Sequence, residues 1–268
     1  MTLLSSSDII YVDELRCNLI RNRSLRKLTI KLLKMVSKFR GLLIMLIGFG
    51  FGFYSNAQQP KQVIRESIEW LDVWMPNTND TDLPRILLIG NSITRGYYPE
   101  VQKALTDKAY VARLTTSKSI GDPGLLSEIA LILDYYKFDI VHFNNGLHGW
   151  GYTEKEYGNA FPAFISVIRQ KAPAARLIWA TITPIRSRTD INAFDSRTKR
   201  IKERNKIALD FVAKQKDIAV DDLWGFTIDK TEFFQGGDGT HPNKNGYEQI
   251  GNKVASELSD LIKDLKAK

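Results

Sequence analysis

The run Ile86-Leu-Leu-Ile89, four apolar residues long and closed by Gly90, constrains this chain more than any other stretch. Apolar on both faces, it reads as a buried strand of a parallel sheet, and the small polar residues after it read as a turn into a helix. In open α/β folds ligands gather at the C-terminal edge of such a sheet. Ser92 stands at that edge, so it is either a helix cap for a helix starting near Tyr97 or a nucleophile. The second alternative gains weight from Gly237-Asp-Gly-Thr-His-Pro-Asn243 far down the chain, which offers Asp238 and His241 three residues apart at a loop-to-helix junction. Together the two stretches supply a nucleophile, a base and an orienting carboxylate.

The remaining elements alternate. Apolar spacings of three and four predict helices over Tyr97–Leu105, Leu125–Tyr136, Glu154–Gln170, Arg197–Lys216 and Asn245–Leu265. Short apolar runs predict strands over Tyr110–Leu114, Phe138–Phe143, Leu177–Ile182 and Ile218–Leu223. Strands alternating with helices imply a three-layer α/β domain with a parallel sheet and helices on both faces. From Gln62 to Met75, Val63, Ile64, Ile68, Leu71 and Met75 also recur at spacings of three and four, which predicts a leading helix with Trp70 and Trp74 packed in the core. The Arg- and Lys-rich helix over 197–216 also carries Glu203 and Asp210, so its charges read as a solvated face. His142 lies inside a strand and reads as packed.

Composition locates the charge. The formal net charge is +8, but residues 1–57 hold nine Lys/Arg against three Asp/Glu, leaving 29 basic and 27 acidic residues in the remainder. With no arginine patch interleaved with aromatics there, nucleic acid is not an expected partner. The basic segment is a leader. Met35–Arg40 is short and cationic, Gly41–Tyr54 is apolar, and Ser55-Asn-Ala57 is a small-x-small signal, the layout of a secretory signal peptide. The apolar run is shorter than the roughly 20 residues that span a bilayer. The expectation is a start at Met35, cleavage after Ala57, export to the periplasm or exterior, no stable membrane association afterwards, and a single domain over 58–268. Gly48-Phe-Gly-Phe-Gly52 lacks the flanking strand and helix of a dinucleotide site. Cys17, the one cysteine, falls in the leader, so the domain has neither disulfide nor thiolate ligand. Asp238 and His241 alone make too few ligands for a hydrolytic metal. No cofactor is expected.

Four blocks resemble those of the SGNH/GDSL hydrolase superfamily. Gly90-Asn-Ser92 is similar to the Gly-Asp-Ser nucleophile block, with Asn91 for Asp, and Asp238-Gly-Thr-His241 to the closing Asp-x-x-His block. Between them Ser119-Ile-Gly-Asp122 is similar to the glycine block, and Gly146-Leu-His148 takes the place of Gly-x-Asn. The resemblance spans about Arg85–Leu265 and implies a five-stranded, flavodoxin-like sheet and a serine esterase with Ser92, His241 and Asp238 as its triad. It also implies an oxyanion hole from the backbone N–H groups of Ser92 and Gly121 plus a side chain. Gly121 has no Cβ to keep a substrate oxygen away. The side chain is in question, since His148 replaces the usual Asn and Asn144 and Asn145 lie just upstream. A neutral His148 can donate one N–H provided its other nitrogen accepts a bond. Asn144, Trp150 and Arg186 are the candidate substrate contacts. Export together with the resemblance suggests an acetylated carbohydrate as substrate. A lipid esterase, thioesterase or acyltransferase and a non-catalytic glycan-binding protein are the alternatives.

Overall fold

The computed structural model describes residues 62–266 together with Lys27, Lys31 and Lys34. The signal peptide, the start at Met35, the cleavage after Ala57 and the Gly48–Gly52 run lie outside the described residues. Six strands, β1 (Leu71–Trp74), β2 (Arg85–Gly90), β3 (Tyr110–Thr116), β4 (Ile140–Phe143), β5 (Arg176–Ala180) and β6 (Ile218–Asp221), form one sheet in the order β1-β3-β2-β4-β5-β6. The five strands from β3 to β6 are mutually parallel, as the flavodoxin-like reading expects, and β1 adds an antiparallel edge. The helices are α1 (Ser92–Ala104), α2 (Pro123–Tyr135), α3 (Glu154–Lys171), α4 (Arg197–Val212), the short α5 (Leu223–Thr227) and α6 (Lys244–Lys266), with a 3₁₀ turn at Thr231–Phe233. All belong to one compact unit, Gln62–Lys268.

Burial explains the layering. Every residue of β2 and β4 is buried, which only a sheet covered on both faces allows. Helices α1 and α6 pack together on one face, while α3 packs between α2 and α4 on the other. Alternation along β4 sends Phe143 toward Phe164 and Trp179, with ring centroids 5.7 Å apart in both pairs. His142 points the other way, toward Tyr97 of α1. Its Nε2 lies 3.1 Å from Asp221, whose other oxygen accepts from Lys253 of α6 at 2.9 Å. His142 is therefore a packed histidine, inside a buried polar network.

The leading helix does not form. Residues 62–70 have no regular secondary structure, and Leu71–Trp74 is a strand, with Leu71 opposite Thr116 and Trp74 opposite Arg113. The apolar spacing there had no core to face: Ile68 is 76% exposed and Trp74 is 55% exposed. The edge of β3 offered unpaired backbone groups instead, which only an extended segment can satisfy. Asp72 bonds Arg113 across the new pair at 3.1 Å. Trp74 is thus an edge residue, and Trp70 ends an irregular strap over 62–70.

Candidate active site

Parallel register brings the loops after β2, β3 and β4 to one edge, since Gly90 pairs with Thr115 and Ile89 with Phe143. At that edge α1 begins at Ser92 itself, five residues earlier than its apolar spacing predicts. Asn91 is the N-cap, and its Oδ1 accepts the Ile93 N–H at 2.9 Å. The capping alternative for Ser92 is thereby removed, and the serine hydroxyl is left for other work. Asn91 Nδ2 also reaches Asn144 Oδ1 at 3.4 Å, joining the ends of β2 and β4.

The second stretch arrives from the loop before α6. His241 Nε2 lies 2.8 Å from Ser92 Oγ, and His241 Nδ1 lies 2.7 Å from Asp238 Oδ2. Asp238 Oδ1 accepts the backbone N–H groups of Thr240 and His241, each at 2.8 Å. Desolvation raises the Asp238 carboxyl, but the His241 backbone and side-chain bonds and the Thr240 N–H outweigh it, so its pKa falls below the usual carboxylate value. An ionised Asp238 requires the proton on Nδ1, which leaves Nε2 as a lone pair aimed at the serine hydroxyl. That is the arrangement that accepts a proton during attack by oxygen. Both side chains are nearly half exposed, 48% for Asp238 and 45% for His241, so the hydroxyl is open to a large substrate.

Two backbone features hold this loop. Gly239 has φ +77° and would, with a Cβ, overlap the carbonyl oxygen of Arg186. The Arg186 N–H donates to the Gly239 carbonyl at 2.7 Å, while its guanidinium bonds the Ile228 carbonyl and lies 4.4 Å from the Phe194 ring centroid. Arg186 is buried, and this lowers its pKa. Its expected substrate contact is corrected: the guanidinium is committed to the protein. Beyond His241, Asn243 Oδ1 accepts the Gly246 N–H at 2.9 Å and caps α6.

The residues expected around the oxyanion separate. The Ser92 N–H, in the first turn of α1, meets no protein acceptor among the described residues. The Gly121 N–H makes a long bond, 3.4 Å, to Ser119 Oγ. Asn145 accepts from Ile120 N–H and donates to the Lys118 carbonyl, both at 2.9 Å, so it braces the glycine loop. Asn144 donates to the Ala180 carbonyl at 2.7 Å and, buried, ties β4 to β5 rather than facing substrate. His148 Nδ1 lies 2.9 Å from Glu66 Oε2. An ionised carboxylate only accepts, so the neutral ring carries its proton on Nδ1 and presents a bare Nε2. His148 as a neutral Nε2–H donor is therefore corrected. The Trp150 ring is also occupied, with the guanidinium carbons of Arg197, Arg200 and Arg204 at 5.8, 5.5 and 4.7 Å.

Two residues around the site, Arg204 and Glu66, escaped the sequence reading, and a third, Trp70, was expected in the core of a helix that does not form. Arg204, fully buried, donates to the carbonyls of Gly146 and His148 at 2.8 and 2.9 Å and to that of Gly149 at 3.1 Å. It clamps the loop after β4, and the solvated-face reading of α4 fails at this position. Its spacing with Ile201, Ala208 and Val212, on the buried stripe of α4, was the available signal. Glu66 holds His148 and the Gly149 N–H. Trp70 lies edge-on to the His148 ring, centroids 6.2 Å apart. Glu66 sits in no pattern that separates it from ordinary loop residues, and the apolar spacing around Trp70 pointed to a core helix instead. Among the described residues no group of three or more His, Cys, Asp or Glu is placed to hold a metal.

Residues 131–254 match the GDSL-like Lipase/Acylhydrolase family model, a span that contains Asp238 and His241. Over that span the chain is similar to GDSL-like lipases and acylhydrolases. Enzymes of this family are carboxylic ester hydrolases, and the fold agrees with solved structures. A carbohydrate esterase of family 3 from Talaromyces cellulolyticus is 20% identical with a TM-score of 0.54, covering 68% of this chain and 99% of its own. The lipase/acylhydrolase from Enterococcus faecalis is 21% identical with a TM-score of 0.51, covering 66% of this chain and 96% of its own. An acetyl xylan esterase is 18% identical with a TM-score of 0.52, covering 65% and 99%. No curated protein sequence matches significantly.

Proposed function

We propose that this chain is an SGNH/GDSL hydrolase, an exported serine esterase that removes acetyl groups from a carbohydrate. The observation that carries the reading is the continuous chain Ser92 Oγ, His241, Asp238, with contacts of 2.8 and 2.7 Å. Ser92 Oγ attacks the acetyl carbonyl as Nε2 of His241 takes its proton. The resulting oxyanion forms beside the Ser92 N–H, at the positive end of α1. The imidazolium then returns its proton to the departing sugar oxygen, leaving an acetyl-serine. Water, deprotonated by the same imidazole, releases acetate and restores the hydroxyl. The half-exposed dyad suits a bulky polymer, and a carbohydrate esterase and an acetyl xylan esterase share the fold, which supports the substrate class. Export rests on the leader.

Acetate release from a panel of acetylated polysaccharides tests the reading. Wild type should turn over at least one, Ser92→Ala none, and a fluorophosphonate should label Ser92 alone. Full activity in Ser92→Ala would remove the mechanism. Protein recovered outside the cytoplasm should begin at Gln58 by mass spectrometry, and an intact leader there would refute cleavage.

A further inference from the structure

Among the described residues seven arginines stack on aromatic rings: Arg85, Arg95, Arg113, Arg186, Arg197, Arg200 and Arg204. Six of them also donate hydrogen bonds to protein carbonyls or carboxylates. Arg95 is the exception among the described residues. Its guanidinium carbon lies 4.6 Å from the centroid of Trp70, its side chain is exposed, and it bonds no protein acceptor. Stacking fixes the plane of the guanidinium while leaving its N–H edge unspent.

The position of this edge matters. Arg95 stands three residues after Ser92 on α1, so the two side chains share a helix face. Trp70 touches both Arg95 and the His148 ring, which places the platform between α1 and the loop after β4. On the other flank Tyr247 packs against Gly96, where an added Cβ would overlap its ring. The Tyr247 phenol, pushed up to about 12 by burial and then by the charge of Asp238, is drawn back by Arg95, so it lies within electrostatic reach of both. An unpaired, oriented cation thus stands at the mouth of a site whose nucleophile is one helical turn away.

We infer that Arg95, held by Trp70, binds a carboxylate of the substrate, so that the preferred substrate is an acetyl ester of an acidic sugar. The inference rests on the esterase reading and adds a specificity determinant to it. A planar guanidinium fork matches a carboxylate in two parallel bonds, which an ester or hydroxymethyl group at the same ring position cannot accept with equal strength.

The test compares two substrates that differ by one charge: a mono-O-acetylated methyl galactosiduronic acid and its 6-methyl ester, with 4-nitrophenyl acetate as a reference. Wild type should favour the acid by about ten-fold or more in kcat/KM, mainly through KM, and added salt should erode the preference. Arg95→Gln should abolish the preference and Arg95→Lys should retain part of it. Free galacturonate should inhibit 4-nitrophenyl acetate turnover more strongly than galactose in wild type, with the difference gone in Arg95→Gln. Equal turnover of acid and methyl ester by wild type, or a loss in Arg95→Gln that is the same for both, would overturn the inference while leaving the esterase reading standing. No turnover of 4-nitrophenyl acetate would overturn both.

Discussion

Two glycines near the closing loop share one backbone conformation and differ only in their surroundings, which makes a controlled experiment. Gly236 and Gly239 both have φ +77°; an added Cβ meets nothing within 4 Å at the first and overlaps the Arg186 carbonyl oxygen at the second. Alanine in the left-handed region costs about 1–2 kcal/mol, so Gly236→Ala should lower Tm by a few degrees, at about 2–4 °C per kcal/mol for a domain of this size. Gly239→Ala carries the same cost and must also push Arg186 away. That breaks the 2.7 Å bond from Arg186 N–H to the Gly239 carbonyl, worth about 0.5–1.5 kcal/mol. Neighbouring Asp238 and His241 move with the backbone, and a misplacement of about 1 Å costs roughly 10²-fold in rate. Thermal melts and kcat on 4-nitrophenyl acetate, measured for both variants, separate the contributions. The expected result is a small Tm loss with near-normal kcat in Gly236→Ala and a larger Tm loss with kcat down about 10²-fold in Gly239→Ala. Equal behaviour of the two would refute the claim that Arg186 holds the loop.

Asp238→Asn should cut kcat steeply, because an amide can donate to Nδ1 and move the imidazole proton to Nε2, facing the serine; near-normal kcat would exclude Asp238 as the orienting group. Desolvation raises the Asp221 carboxyl, but its bonds to His142 and then Lys253 hold it below the usual carboxylate value, so its contribution to stability is present above the unfolded carboxylate pKa, near 3.9, and lost as pH falls through the folded value. Acid unfolding monitored by circular dichroism should therefore have its midpoint below about pH 4, and Asp221→Asn should flatten that limb. Arg204→Met leaves the carbonyls of Gly146, His148 and Gly149 without their donor and should cost about 2–4 kcal/mol, read as a drop in Tm of more than about 5 °C. His148→Ala frees the strap from the loop after β4 and should raise KM for the acidic substrate more than it lowers kcat; a kcat loss alone would instead restore an oxyanion role to His148.

Which parts of this molecule can be read from residue order follows from how local the cause is. The parallel strands are legible because burial on both faces leaves unbroken apolar runs, as in Ile86–Ile89, and α3 is legible because Thr153 and Glu156 form a capping box at its start. Ser92, Asp238 and His241 stand out because short polar motifs lie where strands and helices must turn. The strap at 62–70 has no such signature. Its conformation is decided by Ser117, which bonds the Trp70 backbone, by Tyr152, which accepts the Ile64 N–H, and by the open edge of β3, all at least 40 residues away in sequence.

Arg204 and His148 mark the boundary between these cases, because their residue types suggest the wrong chemistry until the partner is known. An arginine on a charged helix reads as solvated, yet helical spacing puts Arg204 on the inward stripe, and a buried guanidinium there requires acceptors. The loop after β4 supplies them: the carbonyls of Gly146, His148 and Gly149 all turn toward one cation, and none of them then pairs within the sheet. The loop's shape is thus set from α4, more than 50 residues downstream, and the orientation of the His148 ring is set from Glu66, 82 residues upstream. The resemblance of Gly146-Leu-His148 to a Gly-x-Asn block implied a donor beside the reacting oxygen. The carboxylate that faces His148 puts the ring proton on Nδ1 and leaves Nε2 bare, so the proposed mechanism turns instead to the Ser92 N–H, which Asn91 leaves open by capping α1 through Ile93.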